Sequence, residues 1–303
     1  MQVHPTAQTC RPIPKEEQCG IFYQPPRYAM LLLFLLACTP PADDSGLYTA
    51  TCDGSAPSVV GVMTAMRFVR AEGNISAGYN LDGEVTDEGD SWGCGIGDYT
   101  DAEGNAGIDN AFARLIPAME ATEAVAVEGL IQDAIDSGEL LLMFELHDLD
   151  DRADDGCVGI TLQEGAGDPL LGTDGAILPD QTFSRDTASF SASVSDVALS
   201  GGRMDAGPMD VLLPATVLGV DVLFDIREAR VRIEPQEDGT FTGFLSGGTP
   251  IDYIIQIAQK ENVDETLAAL LESLLTTTAD LGEQCEDISL TIEFEAVPAY
   301  FVD

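Results

Sequence analysis

The stretch from Ile288 to Ala296 alternates without a break. Ile288, Leu290, Ile292, Phe294 and Ala296 face one way, and Ser289, Thr291, Glu293 and Glu295 the other. A period of two is the mark of a strand with one dry and one wet face. The pattern recurs within Val220–Glu234, where Ala229, Val231 and Ile233 oppose Glu228, Arg230 and Arg232. Gln236-Glu237-Asp238-Gly239 then reads as a turn into Thr240–Leu245, which predicts a hairpin with Asp-Gly at its bend. Further strands are expected over 58–70, 139–149, 158–162, 189–199 and 209–217.

Helical spacing interrupts this series in two places. Phe112, Leu115, Ile116 and Met119 recur on one face, with Asp109 as the N-cap and Pro117 set to break or kink the element. A second helix is expected over Glu120–Ser137, ended by Gly138. Thr249-Pro250-Ile251-Asp252 has the residue order of a helix start, and Asp264 is placed to cap a helix carrying Leu267, Leu270, Leu271 and Leu274. Hairpin connections outnumber βαβ units. The expected class is α+β, mainly an antiparallel β-sheet or sandwich with two helical insertions.

The most apolar run is Met30–Ala37, MLLLFLLA. It is too short for a spanning helix, which needs about 20 residues, but fits the apolar region of an export signal. Leu35-Leu36-Ala37-Cys38 resembles the lipobox of bacterial lipoproteins. That resemblance implies acylation of the Cys38 thiol and removal of residues 1–37. It further implies outer-membrane sorting, because Thr39 stands where an aspartate would direct retention in the inner membrane. The 29 residues before Met30 are long for a signal and leave the start site open. Residues 38–48 then form a lipidated tether and 49–303 one extracytoplasmic domain. The NLDG and GIDN stretches resemble uncharacterised predicted lipoproteins of Gram-negative bacteria, a likeness that brings no activity with it.

Cleavage before Cys38 takes three basic and two acidic residues from the 13 and 53 of the whole chain, leaving a net charge of −41. Nucleic acid is excluded as a partner, since its binding depends on Lys and Arg neutralising phosphates. Anionic headgroups would repel such a chain, so membrane attachment must come from acyl chains on Cys38. Disorder is the other outcome of high charge, but 45% of residues are hydrophobic and fall in patterned blocks, enough for a core. Four cysteines remain after Cys38 is lipidated. An even count in an exported chain points to two disulfides. Of the three pairings, Cys52–Cys285 with Cys94–Cys157 is the one expected here, tying the two ends and pinning two acidic loops.

Chemistry-bearing motifs are sparse. His147 is the single histidine after cleavage, so a Ser-His-Asp hydrolase or a zinc enzyme has little to build on. No G-x-S-x-G, G-x-G-x-x-G or Walker A pattern is present. No catalytic residue or organic cofactor is assigned. The sharpest candidate is a calcium site in the Gly/Asp-rich stretch 78–110, with Asp82, Asp98, Asp101, Asn105 and Asp109 as its oxygen ligands. A second acidic group, Asp148, Asp150, Asp151, Asp154 and Asp155, would join it if Cys94 met Cys157. Three functions follow: a non-catalytic structural or ligand-binding lipoprotein, a calcium-stabilised adhesion or carbohydrate-binding module, and a hydrolase using carboxylates or His147.

Overall fold

In the computed structural model the described residues are 56–120, 126–217, 220–260 and 265–302. The expectations for residues 1–37, Cys38, the tether, Cys52 and Asp264 fall outside them.

Eleven strands are described: β1 (Val59–Phe68), β2 (Tyr99–Thr100), β3 (Ala106–Ile108), β4 (Leu142–His147), β5 (Asp155–Ala166), β6 (Gln181–Arg185), β7 (Ser191–Ser200), β8 (Arg203–Val217), β9 (Val220–Pro235), β10 (Phe241–Pro250) and β11 (Asp287–Val302). The helices are α1 (Ile116–Glu120), α2 (Ala126–Ser137), α3 (Ile251–Lys260) and α4 (Glu265–Thr278). The protein is mostly antiparallel β, as the alternation predicted, but the sheet curls into a barrel instead of stacking as a sandwich. Pairing runs β1–β4–β5–β7–β8–β9–β10–β11 and returns to β1. The thinnest join is β7–β8, where Leu199↔Met204 and Ser200↔Arg203 are the only paired residues. Beyond them β8 continues with Pro208 and Pro214 in its length.

The strand β6 has no counterpart in the sequence expectations. It runs parallel to β11 and antiparallel to β5, so β1, β4, β5, β6 and β11 make a second, smaller ring. The strands shared by the two rings are covered on both faces, which is why β4 reads LMFELH, nearly continuous and apolar. On one face Phe144 meets Phe241 edge-on, with ring centres 5.1 Å apart, and Phe294 stands behind it. Gly61 is required there because a Cβ would strike the Phe144 ring. On the other face lie Val62, Met143, Phe183 and Ala299, all buried. Helix α2 packs on both β1 and β8, which stand on opposite sides of the larger ring, so it lies across one mouth. Its buried stripe is Ile131, Ala134 and Ile135, and Gly138 ends it at φ 81°.

Two helix starts differ from expectation. Asp109 does not cap the 112–119 segment; its carboxylate is used by other amides, and Ala111–Arg114 is a 3₁₀ turn. Pro117 opens α1 rather than breaking a helix, because the first turn has no amide to lose there. Thr249 makes no cap either: its hydroxyl finds no partner, and the Ile251 amide donates to the Glu286 carbonyl.

Candidate functional site

Two polar clusters are built into the barrel wall. The first lies under the loop between β1 and α1. The wet face of β11 changes character along its length: Ser289 and Thr291 are buried, while Glu293 and Glu295 are exposed. The Gly/Asp-rich loop covers the hydroxyl half. The Ala111 amide donates to Ser289 Oγ at 2.7 Å, and Ser289 donates both its amide and its hydroxyl to the Asp280 carboxylate. Asn110 Nδ2 donates to Ser76 Oγ at 2.9 Å, and the Ser246 and Thr291 hydroxyls share a hydrogen bond. Gly78 sits so close to Thr291 and Ile108 that a side chain there would collide.

Carboxylates crowd into this platform. Asp109 Oδ2 accepts from the Leu81 amide, Asp98 Oδ2 from the Thr86 amide, and Asp98 and Asp109 lie within hydrogen-bonding reach of each other. Burial pushes Asp109 up to about 8, helped by the charges of Asp280, Asp82 and Asp98. Burial raises Asp280 to about 7, against the hydrogen bonds from Ser289. Asp98 is raised as well, again mainly by burial. Of the five expected calcium ligands, Asp82, Asp98 and Asp109 therefore interact. Asp101 and Asn105 do not join them; they bond to each other at the tip of the β2–β3 hairpin. Asp280 was missed, because it lies 171 residues from Asp109 and only the fold brings them together. Among the described residues no group of three or more His, Cys, Asp or Glu side chains is already arranged as a metal cage.

The platform is stapled by a disulfide between Cys94 and Cys285. This corrects both expected pairings, Cys94–Cys157 and Cys52–Cys285. The loop folds back over the start of β11, so Cys94 meets the cysteine just before that strand. Cys157 lies instead at the head of β5, where it is itself disulfide-bonded and its Sγ stands beside Asp196. The second acidic group is not drawn to the first. Asp155 accepts from the Asp150 and Cys157 amides, and Asp154 from the Gly201 amide, so these acids shape their own turns.

The second cluster surrounds His147 on β4. Strand parity places Glu145 and His147 on one face, as expected, with Thr161 of β5 and Ser193 of β7 in the adjoining rows. His147 Nε2 lies 2.9 Å from Thr161 Oγ1, which lies 2.9 Å from Ser193 Oγ. His147 Nδ1 faces Ser58 Oγ at 3.4 Å and Glu145 at 3.8 Å. Glu145 is already held by Arg185 of β6 at 2.8 Å, and the Arg185 guanidinium lies over the Phe301 ring. An orienting carboxylate in a hydrolase triad bonds directly to the imidazole; here it is turned to an arginine. Ser246, in the GFLSGG stretch, is buried and bonded to Thr291, far from any nucleophile's geometry.

Comparison with known protein families, with curated proteins and with solved structures finds no match for this chain.

Proposed function

We propose that the chain is a membrane-anchored extracytoplasmic lipoprotein with a non-catalytic, structural or ligand-binding role. The observation that carries this reading is the Cys94–Cys285 disulfide, which joins the loop to β11 across 191 residues of sequence. Cytosolic thiols are kept reduced, so a structural bond of this kind supports export. It supports the same compartment as the apolar run before Cys38. The non-catalytic part rests on Glu145, whose carboxylate is committed to Arg185. Two or three acyl chains on Cys38 would anchor the protein, since one chain binds only marginally, and Thr39 favours the outer membrane. Detergent-phase partition tests the anchor: the wild type enters the detergent phase and Cys38→Ser stays in the aqueous phase. Equal partition of the two would sink the reading.

A second reading, a calcium-stabilised adhesion or carbohydrate-binding module, is supported by the meeting of Asp82, Asp98 and Asp109. Like charges gathered in a poorly solvated place need a proton or a cation between them. Calcium, which accepts six to eight oxygens at flexible geometry, suits carboxylates that are gathered without forming a closed cage. Titration calorimetry with calcium chloride, paired with unfolding in chelator, decides it. No heat and an unchanged melting temperature would end it.

A further inference from the structure

Nine large apolar side chains stand exposed among the described residues, and five of them fall on two adjoining segments: Leu170, Leu171, Leu178, Tyr300 and Val302. The first three belong to the hairpin between β5 and β6, and the last two to the end of β11. Grouped exposed apolar residues mark an interaction surface, whereas scattered ones do not. The hairpin is held firmly. The Leu178 amide donates to the Leu170 carbonyl, and Leu171 bridges Ile177. Gln181 clasps its base, accepting from the Leu170 amide and donating to the carbonyls of Leu170 and Leu178. Tyr300 is joined to the same base through Asp180.

We infer that this patch is a second membrane contact, lying in the lipid interface and adding to the acyl anchor; the inference rests on the lipid-anchor reading. The register gives the reason for choosing lipid. Gln181 pairs with Ala299, which pairs with Val60 near the start of β1. Two strand spacings put the base of the hairpin about 10 Å from that point. The chain enters β1 from Ala56, eighteen residues after Cys38, a length that reaches up to about 60 Å when extended. An acyl anchor at Cys38 would therefore leave the patch free to reach the bilayer. Tethering turns a weak apolar contact into an intramolecular one of high effective concentration. Residues 153–184 contain no Lys or Arg, and the hairpin carries Asp168, Asp174 and Asp180, so the contact has nothing to bind an anionic headgroup and is made by the apolar side chains with zwitterionic lipid.

The test uses the full lipidated chain in phosphatidylcholine vesicles with brominated acyl chains. Trp92, the single tryptophan, lies on the Gly/Asp-rich loop and serves as the control in the wild type. A Trp92→Phe, Leu170→Trp variant carries the reporter into the patch. The expected result is at least twofold quenching of the reporter by bromolipid, unchanged by salt, with wild-type Trp92 unquenched. If the variant floats with the vesicles but its reporter is not quenched, the patch proposal is overturned and the anchor stands. An unquenched reporter together with a concentration-dependent doubling of mass overturns it in favour of a second copy of the chain. If the wild type does not float at all, the anchor reading falls and the patch proposal with it.

Discussion

The two polar clusters draw on the same residue types and settle their charge in opposite ways. Around His147 the acid is matched: Glu145 faces Arg185, and hydroxyls take up the imidazole. Under the loop Asp98, Asp109 and Asp280 face one another, with hydroxyls and amides as their partners and Arg114 as the cation whose field reaches Asp98. A matched pair holds its geometry over a wide pH range. A like-charge group holds it only while protons or a cation remain. Cys94–Cys285 adds a covalent tie between the covering loop and the start of β11.

The largest effect should come from removing that staple. Cys94→Ser with Cys285→Ser is expected to cost about 2–5 kcal/mol in chemical unfolding, with faster hydrogen exchange in residues 76–110 and unchanged exchange in β4. Equal loosening of β4 would show the two regions to be one cooperative unit. Next, Arg185→Met should cost about 2–3 kcal/mol, below the 3–5 of a fully buried pair, because Arg185 is one-third exposed while Glu145 is mostly buried. Adding Glu145→Gln should recover most of the loss; failure to recover would mean that Arg185 acts by packing on Phe301.

Acidity gives the third effect. Asp109 and Asp280 have folded-state values near 8 and 7, above those of an unfolded aspartate. Their protonated forms thus contribute stability that is complete below about pH 4 and drains away as pH rises towards 8. Unfolding between pH 5 and pH 8 should show stability falling with pH, by at most about 1.4 kcal/mol per unit for each group. Asp109→Asn should flatten that slope, and a slope unchanged in the variant would remove Asp109 from the account. The smallest effect is at His147, whose side chain is 43% exposed. His147→Gln should change stability by less than about 1 kcal/mol; a larger loss would make the imidazole a keystone of its cluster.

Much of the barrel could be read from side-chain alternation. The strands β1, β7, β9, β10 and β11 lie where the patterns placed them, and α2 ends at Gly138 as expected. Closure into a ring was not legible, since it depends on β1 meeting β11 from opposite ends of the domain. The short β6 escaped because Gln181–Arg185 has a single buried apolar side chain, Phe183. Three of the four acids of the carboxylate platform, Asp82, Asp98 and Asp109, were visible as part of a dense run. Asp280 was not, because a lone acid before a strand carries no signal until the fold buries it. One sign was available: Ser289 and Thr291 give way to Glu293 and Glu295 along a single face, and uncharged hydroxyls suit the covered end of such a strand.

The seam between β7 and β8 has a consequence for a protein crowded onto a surface. If Cys38 is acylated as proposed, copies would share two dimensions, where even feeble strand-to-strand adhesion is amplified and can propagate from one molecule to the next. With only two residue pairs closing it, this seam is where a neighbour's backbone would start to zip on. β8 meets that hazard with prolines at 208 and 214, which offer no amide, and with aspartates at 205 and 210. Replacing those prolines would test whether this chain stays dispersed by its backbone chemistry as well as by its charge.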